Sequence, residues 1–293
     1  MRSVSPQAAP NRLREVGKES NDSAEWRMRQ DLAAAHRLAN MHGLSEGIFN
    51  HLTCAVPGKD DRYLQIPFGL HWSEITASCF LEVSYDGKIL SGEGEAERSG
   101  FCIHAPIHKL NPEAVCVMHT HMPFASALAR LEDPSIKPIG QTECILMKEV
   151  VYDMHYSGPA FDPAEGERLA GILGKKKVMI MANHGALTVG RSVAEAYEKL
   201  YYLERVAQVQ IYAMWTGQKL HHLPEPVVEK TMSMSGSPMY GGKPNWDHHF
   251  AALKRMLDRR EPDYCDSQPA GLVAALPPVS SATTTMGVSS NAE

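Results

Sequence analysis

Ala114-Val115-Cys116-Val117-Met118-His119-Thr120-His121 is a run of five apolar residues leading directly into a His-x-His pair. A short apolar run of this kind reads as a buried β-strand. Residues i and i+2 of a strand point to the same face, so His119 and His121 can grip one ion from one side. A second apolar run, Val178 to Asn183, leads to His184. If the strand before His184 lies beside the first, three imidazoles converge at one edge of a sheet. Three protein ligands with a fourth position open is the pattern of a catalytic metal, whereas structural sites close all four positions.

Outward from these runs the pattern is mixed α/β. Ala24, Met28, Leu32, Ala35, Leu38 and Ala39 recur at helical spacing. Gly47 to Val56 alternates as a strand does, Tyr63 to Ile66 follows as another, and Tyr85-Asp86-Gly87 signals a hairpin between Phe80–Val83 and Lys88–Leu90. Helices are expected over Ile103–Leu110, Pro123–Leu131, Pro163–Leu173, Ser192–Trp215 and Asp247–Arg259. Hairpin-joined strands argue for a mainly antiparallel or mixed sheet rather than a doubly wound parallel one. Residues 1–22 read as a disordered arm, 23–262 as a single domain and 263–293, rich in Pro, Ala, Ser and Thr, as a disordered tail.

A hydrophobic fraction of 43% supports a sizeable core, and a net charge of −5 gives no electrostatic case for nucleic acid or an anionic membrane. Six scattered cysteines without a CxxC pair read as reduced thiols. No apolar run approaches the roughly 18 residues of a membrane span, and residues 1–22 hold no signal-type apolar region. A cytoplasmic protein acting on a small molecule is the expectation.

Fourteen histidines make chance pairs common. His221-His222 and His248-His249 are adjacent pairs whose rings diverge on a strand, which makes them poorer ligands than the His-x-His pair. Gly47-Ile-Phe-Asn50-His51-Leu-Thr53, Val117-Met-His119-Thr-His121-Met-Pro-Phe, Met181-Ala-Asn183-His184-Gly185-Ala-Leu-Thr-Val-Gly190 and the helix Ser192–Trp215 together resemble, in order and spacing, the class II aldolase/adducin family over roughly residues 25–260. The resemblance implies a three-layer α/β/α fold around a central, mainly antiparallel sheet. It implies a divalent metal on His119, His121 and His184, zinc foremost, with iron or manganese as alternatives. It also implies a homo-oligomer, typically a tetramer.

Sugar-phosphate aldolases of that family carry an acid/base glutamate before the helix leading to the His-x-His strand. Its place here falls at Arg98-Ser99-Gly100, where no carboxylate stands in register, and Glu95 and Glu97 read as solvated loop charges. Glu46 and bulky Phe49 suit a phosphate poorly, which points to a non-phosphorylated substrate. Asn50 and His51 are candidates for substrate contact. Glu143 and Tyr156 are the candidate acid/base groups, and His155 is a possible extra ligand. The expected activity is cleavage of a carbon–carbon bond, aldol or decarboxylative, in an oxo or hydroxy acid or a hydroxyketone by way of an enolate. Two rivals stand beside it: an iron oxygenase-like enzyme on the same triad, and a non-enzymatic adducin-like assembly module.

Overall fold

Alternation along the strands splits the interior into two cores. The computed structural model describes residues 24–234 and 244–265. Eight strands form one sheet: β1 His51–Ala55, β2 Arg62–Gln65, β3 Leu81–Ser84, β4 Ile89–Ser91, β5 Cys116–Thr120, β6 Val150–Asp153, β7 Val178–Met181 and β8 Ala186–Gly190. Their spatial order is β4-β3-β2-β1-β5-β8-β7-β6, and every pairing is antiparallel except β6 with β7. Leu52, Cys54, Cys116, Met118, Val178 and Ile180 face one core, while Val117, Met179, Met181, Leu187 and Val189 face the other. That is the two-residue period of a sheet covered on both sides.

The first core is covered by α1 (Ala24–Met41), α3 (Pro123–Leu128), α4 (Gln141–Met147), α6 (Val193–Trp215) and α8 (Asn245–Arg260). The second is covered by α2 (Arg98–Leu110) and α5 (Pro163–Leu173). A short helix, α7 (Glu225–Met232), packs beside α4. The layers are therefore α/β/α. Caps set several boundaries. Asp162 accepts from the Ala164 amide, Ser192 from the Glu195 amide, and Gly174 ends α5 at φ +51°.

Three expectations change. β1 begins at His51 rather than Gly47, because Gly47 (φ +58°) and Asn50 (φ +72°) turn the chain and Glu46 bridges back to Phe49. Cys54 and Cys116 stand directly opposite on β1 and β5, Cα atoms 4.3 Å apart, and are joined as a disulfide; Cys79, Cys102, Cys144 and Cys265 stay reduced, as read. Their separation of 62 residues conceals a pairing that only the ladder register creates. Pro262–Cys265, at the head of the expected tail, forms a 3-10 helix with Tyr264 buried and its carbonyl accepting from the Ala77 amide. The arm and residues 266–293 lie outside the described residues. Among those described, no helix is long and apolar enough to cross a membrane.

Candidate metal centre

His119 is the penultimate residue of β5, on the α2/α5 face, and His121 lies just beyond the strand, where Asn50 Oδ1 accepts from its amide at 3.0 Å. His184 arrives differently from the expectation. Its preceding strand, β7, is not next to β5, because β8 lies between them. The tight β7–β8 turn, with Met181 donating to the Gly185 carbonyl and Asn183 at φ +54°, carries His184 back over the end of β5. Gly185 is what permits the approach. A Cβ there would stand 2.6 Å from the Thr120 carbonyl oxygen and 2.8 Å from the His121 ring.

The three rings form a near-equilateral triangle, with centroids 4.8, 4.9 and 4.9 Å apart. Each offers a nitrogen, all within 4.8 Å of one another. Hydrogen bonds fix which nitrogens of His119 and His121 face inward. His119 Nδ1 lies 3.0 Å from the Ala186 carbonyl, which can only accept, so Nδ1 holds the hydrogen. His121 Nδ1 donates to Glu46 Oε2 at 2.5 Å. Both Nε2 atoms then face inward, 3.1 Å apart. Two nitrogens bound tetrahedrally to zinc at its usual bond length stand about 3.3 Å apart. Burial, then the neighbouring imidazoles, pushes His119 well below the usual histidine range and His184 down to about 4. Imidazoles of His119 and His184 kept neutral, outward nitrogens of His119 and His121 held by oxygen acceptors, and three nitrogens at ligand spacing fit a divalent cation.

Glu46 was read only as a poor phosphate neighbour, and nothing in the sequence links it to a histidine 75 residues away. Glu204 is another residue missed. Burial pushes its carboxyl up, and it accepts from the Phe124 and Ala125 amides, fastening the start of α3 directly after His121-Met122.

Glu97 corrects the reading of a solvated charge. It caps α2, accepting from the Ser99 and Gly100 amides at 3.0 and 2.6 Å, and approaches His51 Nε2 at 3.2 Å. Burial pushes its carboxyl up, but His51, the Gly100 amide and Ser99 outweigh that and hold it at about 2. His51 in turn stacks on His119, centroids 5.3 Å apart. The missing carboxylate in the Arg98–Gly100 register has a steric counterpart: a Cβ on Gly100 would stand 3.0 and 3.1 Å from two atoms of the His51 ring.

Of the other candidates, Tyr156 packs against His184 at 5.8 Å between centroids and is half exposed. Glu143 is not brought to the cluster. Helix α4 packs on α6 and α7, and the Glu143 carboxylate folds back onto Gly140 at the start of its own helix. His155 uses its amide on Asp153 and is outside the ligand group. His249 pairs with Glu198.

Residues 30–211 match the family model described as Class II Aldolase and Adducin N-terminal domain. A Pseudomonas aeruginosa protein described as of aldolase class 2 type is 34% identical over 248 residues, 83% of this chain and 93% of the relative. Alpha-adducin of Rattus norvegicus is 34% identical over 261 residues, 85% of this chain but 35% of the adducin. An aldolase II superfamily protein from Pseudomonas syringae has a related structure, with TM-score 0.78 and 36% identity over 85% of this chain and 99% of that one. L-fuculose 1-phosphate aldolase from Glaciozyma antarctica shares the fold, with TM-score 0.71 and 24% identity over 87% of this chain and 96% of that one.

Proposed function

This chain belongs to the class II aldolase and adducin family, and on that premise we propose that it is a metal-dependent carbon–carbon lyase for a non-phosphorylated oxo or hydroxy acid or hydroxyketone. The observation that carries the reading is the triangle of three imidazoles, each offering a nitrogen within 4.8 Å of the others, with the outward nitrogens of His119 and His121 held by oxygen acceptors. His119, His121 and His184 are its ligand set. A divalent ion held there, zinc foremost and iron or manganese as alternatives, supplies Lewis acidity to a carbonyl and stabilises the negative charge formed as the bond breaks.

The chain's own groups supply the rest. Ala186 and Glu46 hold the outward nitrogens of His119 and His121, so neither ring swings on ligand exchange. Tyr156 stands beside His184 with part of its surface in solvent, and its hydroxyl is the group we assign to proton delivery. Asn50 keeps its amide nitrogen for a substrate oxygen while its Oδ1 holds the His121 amide. Glu46 and exposed Phe49, at the two ends of one turn, support a substrate without phosphate. Residues 23–262 act as one domain, in a cytoplasmic homo-oligomer of tetramer type.

The adducin relatives favour a second reading, an assembly module that keeps the fold. Turnover on a panel of oxo acids, hydroxy acids and hydroxyketones, before and after chelation, separates the two. Chelator-sensitive release of carbon dioxide or of a carbonyl fragment supports the lyase. No turnover across the panel by metal-loaded protein overturns it in favour of assembly, and stoichiometric iron with oxygen consumption overturns it in favour of an oxygenase. Tyr156→Phe is expected to lower kcat by roughly 10²-fold or more with metal content unchanged.

A further inference from the structure

A buried chain of hydrogen bonds runs from the α2/α5 core to the edge of the histidine cluster. His108 Nδ1 meets the Ala114 carbonyl at 2.7 Å, and His108 Nε2 meets Thr53 Oγ1 at 2.9 Å. Thr53 Oγ1 meets His104 Nδ1 at 2.7 Å, and His104 Nε2 meets His51 Nδ1 at 3.3 Å. All four side chains are buried.

The polarity of the chain follows from its carbonyl end. A carbonyl only accepts, so His108 Nδ1 carries hydrogen. Burial pushes His108 down to about 4 and His104 well below the usual range, so each ring is neutral and carries one hydrogen. His108 Nε2 therefore accepts, and the Thr53 hydroxyl donates to it at 2.9 Å, its other acceptor, the Val117 carbonyl, lying farther off at 3.4 Å. The single hydroxyl hydrogen being used, Thr53 accepts from His104 Nδ1. His104 Nε2 is then bare, and His51 Nδ1 donates to it. The other edge of His51 is left facing Glu97 Oε2 and Ser99 Oγ, at 3.2 and 3.4 Å. The ring lies flat against His119, in space that Gly100 leaves free.

We propose that Thr53, His104 and His108 are positioning residues that fix the ring orientation of His51, with its Nδ1 donating to His104 and its Nε2 edge turned to the Glu97 carboxylate, at the edge of the histidine cluster. Nothing in the lyase reading requires this lock, although its effect on turnover rests on that reading. The far end stops at a backbone carbonyl, so the chain orients His51 and does not conduct protons away.

The test uses the full chain and nitrogen NMR of the imidazoles. In the wild type, His51, His104 and His108 are each expected to show hydrogen on Nδ1; His104 with hydrogen on Nε2 overturns the proposal without any variant. Thr53→Val keeps the shape and removes the hydroxyl, whereas Thr53→Ser keeps the hydroxyl and removes a methyl group. A packing role predicts that the serine variant is the worse. The lock predicts that serine retains the His51 signal pattern and turnover, while valine shifts the His51 and His104 signals and lowers kcat at least tenfold, with KM and metal content nearly unchanged. Wild-type spectra and turnover in Thr53→Val overturn the proposal. Should the wild type show no turnover, the lyase reading fails and the nitrogen spectra still decide the lock.

Discussion

The Glu46 carboxylate accepts from His121 Nδ1 at 2.5 Å, and this one contact sets which nitrogen of His121 faces the cluster. A carboxylate behind a ligating imidazole raises its basicity and fixes its orientation, and its removal typically weakens metal binding 10–100-fold. Glu46→Gln keeps a hydrogen-bond acceptor but loses the charge. Its metal dissociation constant, from competition with a chelator, is expected to rise about tenfold, with folding unchanged. Unchanged affinity would detach Glu46 from the site.

Gly185 is the second test of the geometry. In Gly185→Ala the new methyl group meets the Thr120 carbonyl oxygen at 2.6 Å, and backbone cannot swing aside as a side-chain end can. Overpacking of this kind costs about 1–3 kcal/mol. The β7–β8 turn must lift, taking His184 away from His119 and His121. Thermal melts and metal titration should both register it. A variant with native stability and native metal affinity contradicts the close approach.

Stability is expected to fall in mild acid for reasons separate from the metal. His36 packs edge-on against Trp72 with Nδ1 bonded to the Leu32 carbonyl, and burial pushes it down to about 4, as burial does His108. An unfolded chain binds protons at these two residues near pH 6.5, whereas the folded chain does not until about pH 4. Their stabilising contribution is therefore complete above pH 6.5 and drains away as pH falls to 4, on the order of 3 kcal/mol per histidine. Urea midpoints taken from pH 8 to pH 4 check it. His36→Phe should flatten part of the slope, and a flat profile in the parent protein would remove the argument.

What the sequence discloses about the site follows physical range. The His-x-His pair is legible because two residues on one strand need no tertiary information. Long helices such as Val193–Trp215 are legible from periodicity and a serine cap. His184 reaches the site through a turn rather than as the neighbour of β5, so spacing alone misplaces its strand, and the family resemblance, not the period, identifies it. Glu46, Glu97, the Cys54–Cys116 bridge and the Thr53–His104 contact all join residues 50 or more positions apart, or turn on which residue caps a helix. Each depends on ladder register or helix docking that no local pattern encodes. Glu97 is the instructive case. As loop sequence it reads as solvent-facing, and it is pulled inward because the first amides of α2 need an acceptor.

The central claim is that His119, His121 and His184 hold one divalent ion that the chemistry requires. Elemental analysis of protein purified without a tag, paired with His119→Ala, tests it most directly. The expected result is one divalent metal per chain in the parent protein, lost together with activity in the folded variant. A parent protein that is fully active when metal-free, or a His119→Ala variant that keeps stoichiometric metal, would contradict it.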